Sequence, residues 1–290
     1  MKFATWKQNN LEEAGILSGD LKSVHSFKSL NMDYKTLLDF IICHDKSVID
    51  ILHNAQEKSG IPLTDVQLQA PIPFPRHDII CLGLNYMDHI KEVSRFGIDN
   101  SVKPEKAAYF SKRVYRALGP DGIIENHFEI NEKLDYEAEL AFVIGKDARG
   151  IKLENAWDYI FGLCCFNDLS ARNVQKDHNQ WFFGKSLDTL TAFGPYIVTI
   201  DEFKPPLELY VRSRLNGELR QNGNTKDLIY DPAFIVEELS SGLTLDAGTI
   251  IATGTPGGVG ASYTPHRCMQ SGDVIEVEIE GCGILRNYVG

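Results

Sequence analysis

Residues 131–145 read NEKLDYEAELAFVIG. Apolar residues alternate along the stretch. Leu134, Tyr136, Ala138, Leu140, Phe142 and Ile144 share one face of an extended strand, because successive side chains point to opposite sides. The other face carries Asp135, Glu137, Glu139, Ala141 and Val143. Glu137 and Glu139 then stand roughly 7 Å apart along the strand. Like charges on one face repel unless water or a cation lies between them. A solvated edge is the ordinary reading of such a pair, but the apolar continuation through Ala141 and Val143 weighs against it.

A third acid shifts the balance. GLCCFNDLSARN runs an apolar strand into Asp168 and then into a short helical pattern. Asp168 suits either the N-cap of that helix or a third metal ligand. Three carboxylates without histidine or cysteine in motif form suit a hard cation. Mg2+ or Mn2+ takes octahedral oxygen coordination and leaves positions open to water or to a chelating dicarbonyl.

The rest of the chain sets bounds. Of 290 residues, 43% are apolar and 24% charged, as in soluble globular proteins. The net charge of −11 argues against nucleic acid as a partner. No apolar run reaches the roughly 18 residues of a membrane span, and MKFATWKQNN lacks the apolar core of a signal peptide. The six cysteines have no zinc-ribbon spacing. They read as reduced core or near-core thiols of a cytoplasmic protein.

Residues 1–70 form one block of short apolar stretches and helical patterns. In KSVIDILHNAQEKSG, Val48, Ile51, Leu52 and Ala55 form a stripe that Gly60 ends. The proline-rich join QAPIPFPRHD places a boundary near residue 70, with a second domain from 71 to 290. That part is mostly strands: DIICLGL, AELAFVIG, GLCCFND, AFGPYIVTI, LELYVRSRLNG, GTIIATG and DVIEVEIE. One helix opens at YDPAFIVEELSSG, with Asp231 as N-cap, Pro232 at the first position and Gly242 as the stop. Strands without regular helical crossovers argue against a doubly wound sheet and favour a β-rich α+β fold, mostly antiparallel with a few helices. FGKSLD lacks the first glycine of a phosphate loop, and TGTPGGVG has the wrong spacing for dinucleotide binding.

Several blocks, taken in order, resemble the fumarylacetoacetate hydrolase superfamily. They are LDYEAELAFVIG, FNDLSARNVQ, FFGKSLDTLTAFGP, LNGELRQNGNTKDLIYDP and IIATGTPGGVG, from about residue 72 to the end. The resemblance implies a mixed β-sandwich or β-roll catalytic domain, preceded here by a small α/β domain. It implies that Glu137, Glu139 and Asp168 bind Mg2+ or Mn2+. It implies a catalytic Lys185, whose ammonium would steady a developing enolate. It implies a His89–Glu92 pair on a lid segment, in which Glu92 supports His89 as a base. Gln175, Thr255 and the backbone around Gly254 match positions that hold substrate oxygens.

One block departs from the family. YFSKRVYRALGP has Lys112, Arg113 and Val114 where relatives often show Lys-x-Pro, and Arg113 becomes the candidate for a distal carboxylate. The resemblance further implies a homodimer acting on a small anionic oxo-acid. The leading expectation is chemistry at a C–C bond through a metal-bound enolate, either decarboxylation of an oxaloacetate-like acid or hydrolysis of an acylpyruvate, and isomerisation of a 2-hydroxyhepta-2,4-diene-1,7-dioate type of substrate is the alternative. A catalytically silent ligand-binding protein is a further alternative.

Overall fold

A computed structural model of the chain describes residues 1–94 and 103–290. It is β-rich, with an α+β architecture. Among the described residues the largest sheet has eleven strands. Its order is Ile61–Pro62, Ser23–Ser26, Leu11–Leu17, Lys2–Gln8, Ala192–Thr199, Ile160–Asn167, Ala138–Ile144, Ile250–Ala252, Ile79–Gly83 and Ala108–Lys112, with Gln67–Leu68 also paired to Lys2–Gln8. A second sheet runs Glu218–Asn224, Tyr210–Leu215, Val274–Ile279, Gly283–Val289, Ile123–Ile124. Each of the seven strand stretches expected beyond residue 71 contains a strand.

The stretch 131–145 is not one continuous strand. Leu134–Asp135 pairs with Ser170–Ala171, and a separate strand, Ala138–Ile144, lies in the large sheet. Between them Tyr136 and Glu137 leave the ladder. Side chains and loop atoms replace it: Glu137 N–H donates to Asn167 Oδ1 at 3.1 Å, and Glu137 C=O accepts from Asp168 N–H at 3.0 Å. The break brings Glu137 and Asp168 together.

Ala138–Ile144 is central and buried on both faces. Leu140, Phe142 and Ile144 pack beneath the second sheet with Val211, Ile275 and Val277. Ala141 and Val143 pack on the opposite side with Phe3, Phe40 and Phe166. Cys164 and Cys165 likewise enter opposite cores, and the cysteines are all free. Cys43 is exposed rather than in the core, because it ends the helix Leu37–Cys43 on its outer side.

The boundary near residue 70 does not separate two sheets. Lys2–Gln8 pairs antiparallel with Ala192–Thr199, so the N-terminal block extends the same sheet and shares one of its cores. Within that block the helix Ile49–Gln56 buries Leu52 and Ala55 but leaves Ile51 45% exposed, and it ends four residues before Gly60. Pro232–Gly242 forms the expected helix, with the Asp231 side chain accepting from Phe234 N–H.

Candidate active site

The acids meet where the central strands end. Ligand oxygens of Glu137, Glu139 and Asp168 lie within 4.8 Å of one another, and all three residues are buried. Asp168 follows the strand Ile160–Asn167, whereas the next helix, Arg172–Asp177, is N-capped by Ala171 without a side-chain bond. Asp168 is therefore not an N-cap.

Cations surround the cluster. Lys185, at the end of the short helix Phe182–Lys185, is 2% exposed. Its Nζ lies 2.8 Å from Glu137 Oε2 and 2.7 Å from Asp168 Oδ2. Lys112, fully buried at the end of its strand, lies 2.5 Å from Asp168 Oδ1 and donates to Leu169 C=O. Arg172 contacts Asp135 at 2.8 Å and Glu137 Oε1 at 2.7 Å. Burial opposes ionisation of Glu137, but Lys185 and Arg172 overcome it and hold its pKa well below the carboxylate range. Burial opposes the charge of Lys185 too, yet Asp168 and Glu137 raise its pKa. Lys112 goes the other way: burial lowers its pKa against the pull of Asp168.

Glu139 is the acid left over. Its Oε2 accepts from Gly254 N–H at 2.9 Å, and its buried Oε1 has no partner. Burial, then the charges of Asp168 and Glu137, raise its pKa well above the usual range. An orphaned carboxylate oxygen beside two other hard oxygen donors fits a divalent cation, as the sequence pattern implied.

A cavity of about 290 Å³ opens beside this cluster. Glu137, Lys185 and Arg172 line it at one side, His89 and Glu92 at another, with Trp181 and Phe110 as aromatic walls. His89 and Glu92 lie on the helix Met87–Ser94. His89 Nδ1 and Glu92 Oε2 are 3.7 Å apart, beyond a hydrogen bond, and Nδ1 has no hydrogen-bond partner among the described residues. Instead both oxygens of Glu92 receive Gly258 N–H, at 2.9 and 3.0 Å. Gly258 has φ +107°, and a Cβ there would come 2.2 Å from Arg220 C=O, so only glycine can present this amide.

Residues 78–290 match the fumarylacetoacetate (FAA) hydrolase C-terminal family. The chain belongs to the fumarylacetoacetate hydrolase family. Over their full lengths it is 38% identical to the oxaloacetate tautomerase YisK of Bacillus subtilis strain 168, across 305 aligned residues. A fumarylacetoacetate hydrolase from psychrophilic Exiguobacterium antarcticum has a similar structure, with 38% identity, a TM-score of 0.82, and coverage of 100% of this chain and 99% of that one. Maleylpyruvate hydrolase from Sphingobium sp. SYK-6, solved with a manganese(II) ion and pyruvate, matches at 27% identity with a TM-score of 0.77, covering 100% of this chain and 98% of that one.

Against this fumarylacetoacetate hydrolase fold, the expected substrate contacts divide. Gln175 and Thr255 line the cavity. The Thr255 hydroxyl is already engaged, donating to Ala138 C=O and accepting from Gln221. Gly254, at φ +90°, spends its amide on Glu139 and does not line the cavity. Arg113 is a correction. Its side chain is 73% exposed, stands 4.0 Å from Asp78 and lies outside the cavity. The strand Ala108–Lys112 ends with Lys112 buried, and Arg113 is the first residue beyond it.

Four contributors escaped the sequence reading: Lys112, Arg172, Asp135 and Gln221. The Gln221 amide ties the second sheet to the acid strand, since its oxygen accepts from Ala138 N–H and Ser213 and its nitrogen donates to Thr255 and Pro256 C=O. Lys112 carried one signal, a cation closing the apolar run AAYF.

Proposed function

We propose that this chain is an enzyme that moves a proton at the carbon next to the carbonyl of a small oxo-diacid, interconverting the keto and enol forms of oxaloacetate or a close analogue. The observation that carries this reading is one small cavity that joins an imidazole with a partnerless nitrogen to a cluster presenting a buried ammonium. The full-length relationship to an oxaloacetate tautomerase supports it.

His89 takes a proton from C3 of the keto acid, the C3–H electron pair forms the C2–C3 double bond, and the proton is delivered to the C2 oxygen; the reverse direction returns it to C3. Glu92, 3.7 Å from the ring, steadies the imidazolium. Lys185 offers positive charge to the oxygen that becomes the enolate. Lys112 and Arg172 hold Asp168 and Glu137 in place while charge shifts. A divalent cation bound by Glu137, Glu139 and Asp168 would chelate the 2-oxo acid and acidify its C3–H bond. Mn2+ has support from the manganese-bound relative, and the oxygen donors suit Mg2+ equally.

Decarboxylation or acylpyruvate hydrolysis is the second reading, because both release the same kind of enolate and the maleylpyruvate hydrolase structure holds pyruvate. The proposal includes a homodimer in a reducing compartment such as the cytoplasm, where the six unbridged cysteines stay reduced. A monomeric mass by light scattering would remove the dimer.

The test follows freshly dissolved oxaloacetate by ultraviolet absorbance and proton NMR in deuterium oxide, with Mg2+ or Mn2+. Keto–enol conversion and C3 deuteration above the rate of metal alone are expected, without release of pyruvate. Pyruvate formation would transfer the assignment to decarboxylation. No acceleration of either would sink the tautomerase reading.

A further inference from the structure

Three cavity-lining residues come from one short helix, Arg172–Asp177: Arg172, Gln175 and Lys176. Spacing of i, i+3 and i+4 puts them on one helical face. Their engagements differ. Arg172 is committed to Asp135 and Glu137, and Lys185 is committed to Glu137 and Asp168. Gln175 gives its oxygen to Arg172 at 3.2 Å, which leaves its Nε2 to donate elsewhere. The Lys176 ammonium has no ion pair or hydrogen bond among the described residues.

An unpaired lysine on a surface is ordinary. Here it lines the cavity of a chain whose net charge is −11. That cavity also presents Glu92, so a second carboxylate entering it meets repulsion unless a cation receives it. Arg113 cannot serve, since it lies outside the cavity.

We infer that Lys176, together with Nε2 of Gln175, forms the end of the site that receives the distal carboxylate of a substrate, so that the cavity selects 2-oxo diacids over 2-oxo monoacids. The inference rests on the reading of this cavity as an oxo-acid site. The acid cluster and Lys185 take the 2-oxo acid half, and the Lys176 end discriminates by the group at the far carbon. A charge-assisted hydrogen bond has the chemistry this needs.

The experiment measures equilibrium binding by calorimetry with Mg2+ present, for a matched four-carbon pair: oxaloacetate and 2-oxobutyrate. The unmodified protein should prefer oxaloacetate by about tenfold, the size of one partly exposed charged contact. Lys176→Met should reduce that ratio to near unity, and Lys176→Arg should keep most of it. Lys176→Glu should reverse it. An unmodified protein without preference, or a Lys176→Met variant that keeps the full preference, overturns the inference. The turnover assay judges the reaction separately. Preferential binding that Lys176→Met abolishes, without any catalysis, would overturn the tautomerase reading and leave this binding end standing.

Discussion

Glu137, Glu139 and Asp168 sit at the ends of central, doubly buried strands, whereas His89 and Glu92 ride on the eight-residue helix Met87–Ser94 at the cavity's other side. The first region is held by many short polar contacts: two lysines, one arginine and the Gly254 amide reach the acids, and the Glu137 N–H donates to Asn167. The second is pinned at its start by Asn85, which donates to Tyr230 C=O and Thr253 C=O, and further along by Ile90 in the core and by one amide, that of Gly258. The difference teaches where each part's work lies. An enolate needs charge placed in advance, which requires a stiff, crowded cluster. A proton shuttle needs an imidazole facing the cavity, and this helix places His89 there.

Breaking the stiff side should have the largest effect. Lys185→Met removes the ammonium from between Glu137 and Asp168 and leaves two buried acids short of a partner. Turnover should fall on the order of 10²–10³-fold, the scale of one lost anion-stabilising donor. Folding stability should fall by about 3–5 kcal/mol, the usual cost of breaking a buried ion pair from one side. Steady-state kinetics and urea denaturation read the two effects, and a rise in KM alone would reduce Lys185 to a binding contact.

The tethered side should respond more in rate than in stability. His89→Ala should lower proton transfer by about 10²–10⁴-fold. Its Nδ1 forms no hydrogen bond among the described residues, so the urea midpoint should move less than with Lys185→Met. A large loss of stability with little loss of C3 deuteration would show a structural histidine instead of a base.

Glu139 sharpens the contrast through a change of sign. Its raised pKa means that the folded protein favours the neutral acid. That contribution is complete below the ordinary glutamate value of about 4.3 and is lost as pH rises through the elevated folded value. Glu137, whose pKa is lowered, behaves oppositely: its contribution is present above the ordinary value and lost as acid drives pH through the depressed one. A divalent cation must displace the Glu139 proton, so the thermal stabilisation given by Mg2+ should grow with pH. Glu139→Gln should stabilise the chelator-treated protein by about 1–2 kcal/mol, since it removes a buried, half-satisfied acid. It should also remove most of the Mg2+ increment. Thermal melts with and without chelator across pH test this, and an Mg2+ increment that is the same in both proteins would separate Glu139 from the cation.

How much of this was legible follows from the same contrast. The acids were legible because strand alternation fixes side-chain direction residue by residue, so an E-x-E on an otherwise apolar face stands out. The strands and the helix at Pro232 were legible from period and capping. The break at Tyr136–Glu137 was not, because it depends on Asn167, a side chain thirty residues away, taking the place of a ladder partner. The sharing of one sheet by residues 1–70 was hidden for the same reason: pairing of Lys2–Gln8 with Ala192–Thr199 leaves no local trace. Arg172 and the role of Lys112 were not legible, since only burial beside acids distinguishes them from other basic residues. The exposure of Arg113 was not legible, because it depends on where the strand Ala108–Lys112 ends.

That last residue supplies the smallest expected effect and the cleanest control. Arg113 lies one position beyond Lys112, and its guanidinium is 73% exposed and stands 4.0 Å from Asp78. An exposed pair at that distance contributes roughly 0–1 kcal/mol. Arg113→Ala should therefore leave the urea midpoint, the KM for oxaloacetate and the turnover number within about twofold of the unmodified protein. The neighbouring Lys112→Met, made in parallel, should destabilise the fold, because it leaves a buried oxygen of Asp168 without its partner. If Arg113→Ala instead raised KM for a diacid while leaving a monoacid alone, the distal carboxylate would lie on this outer loop, and the cavity wall formed by Gln175 and Lys176 would lose its role.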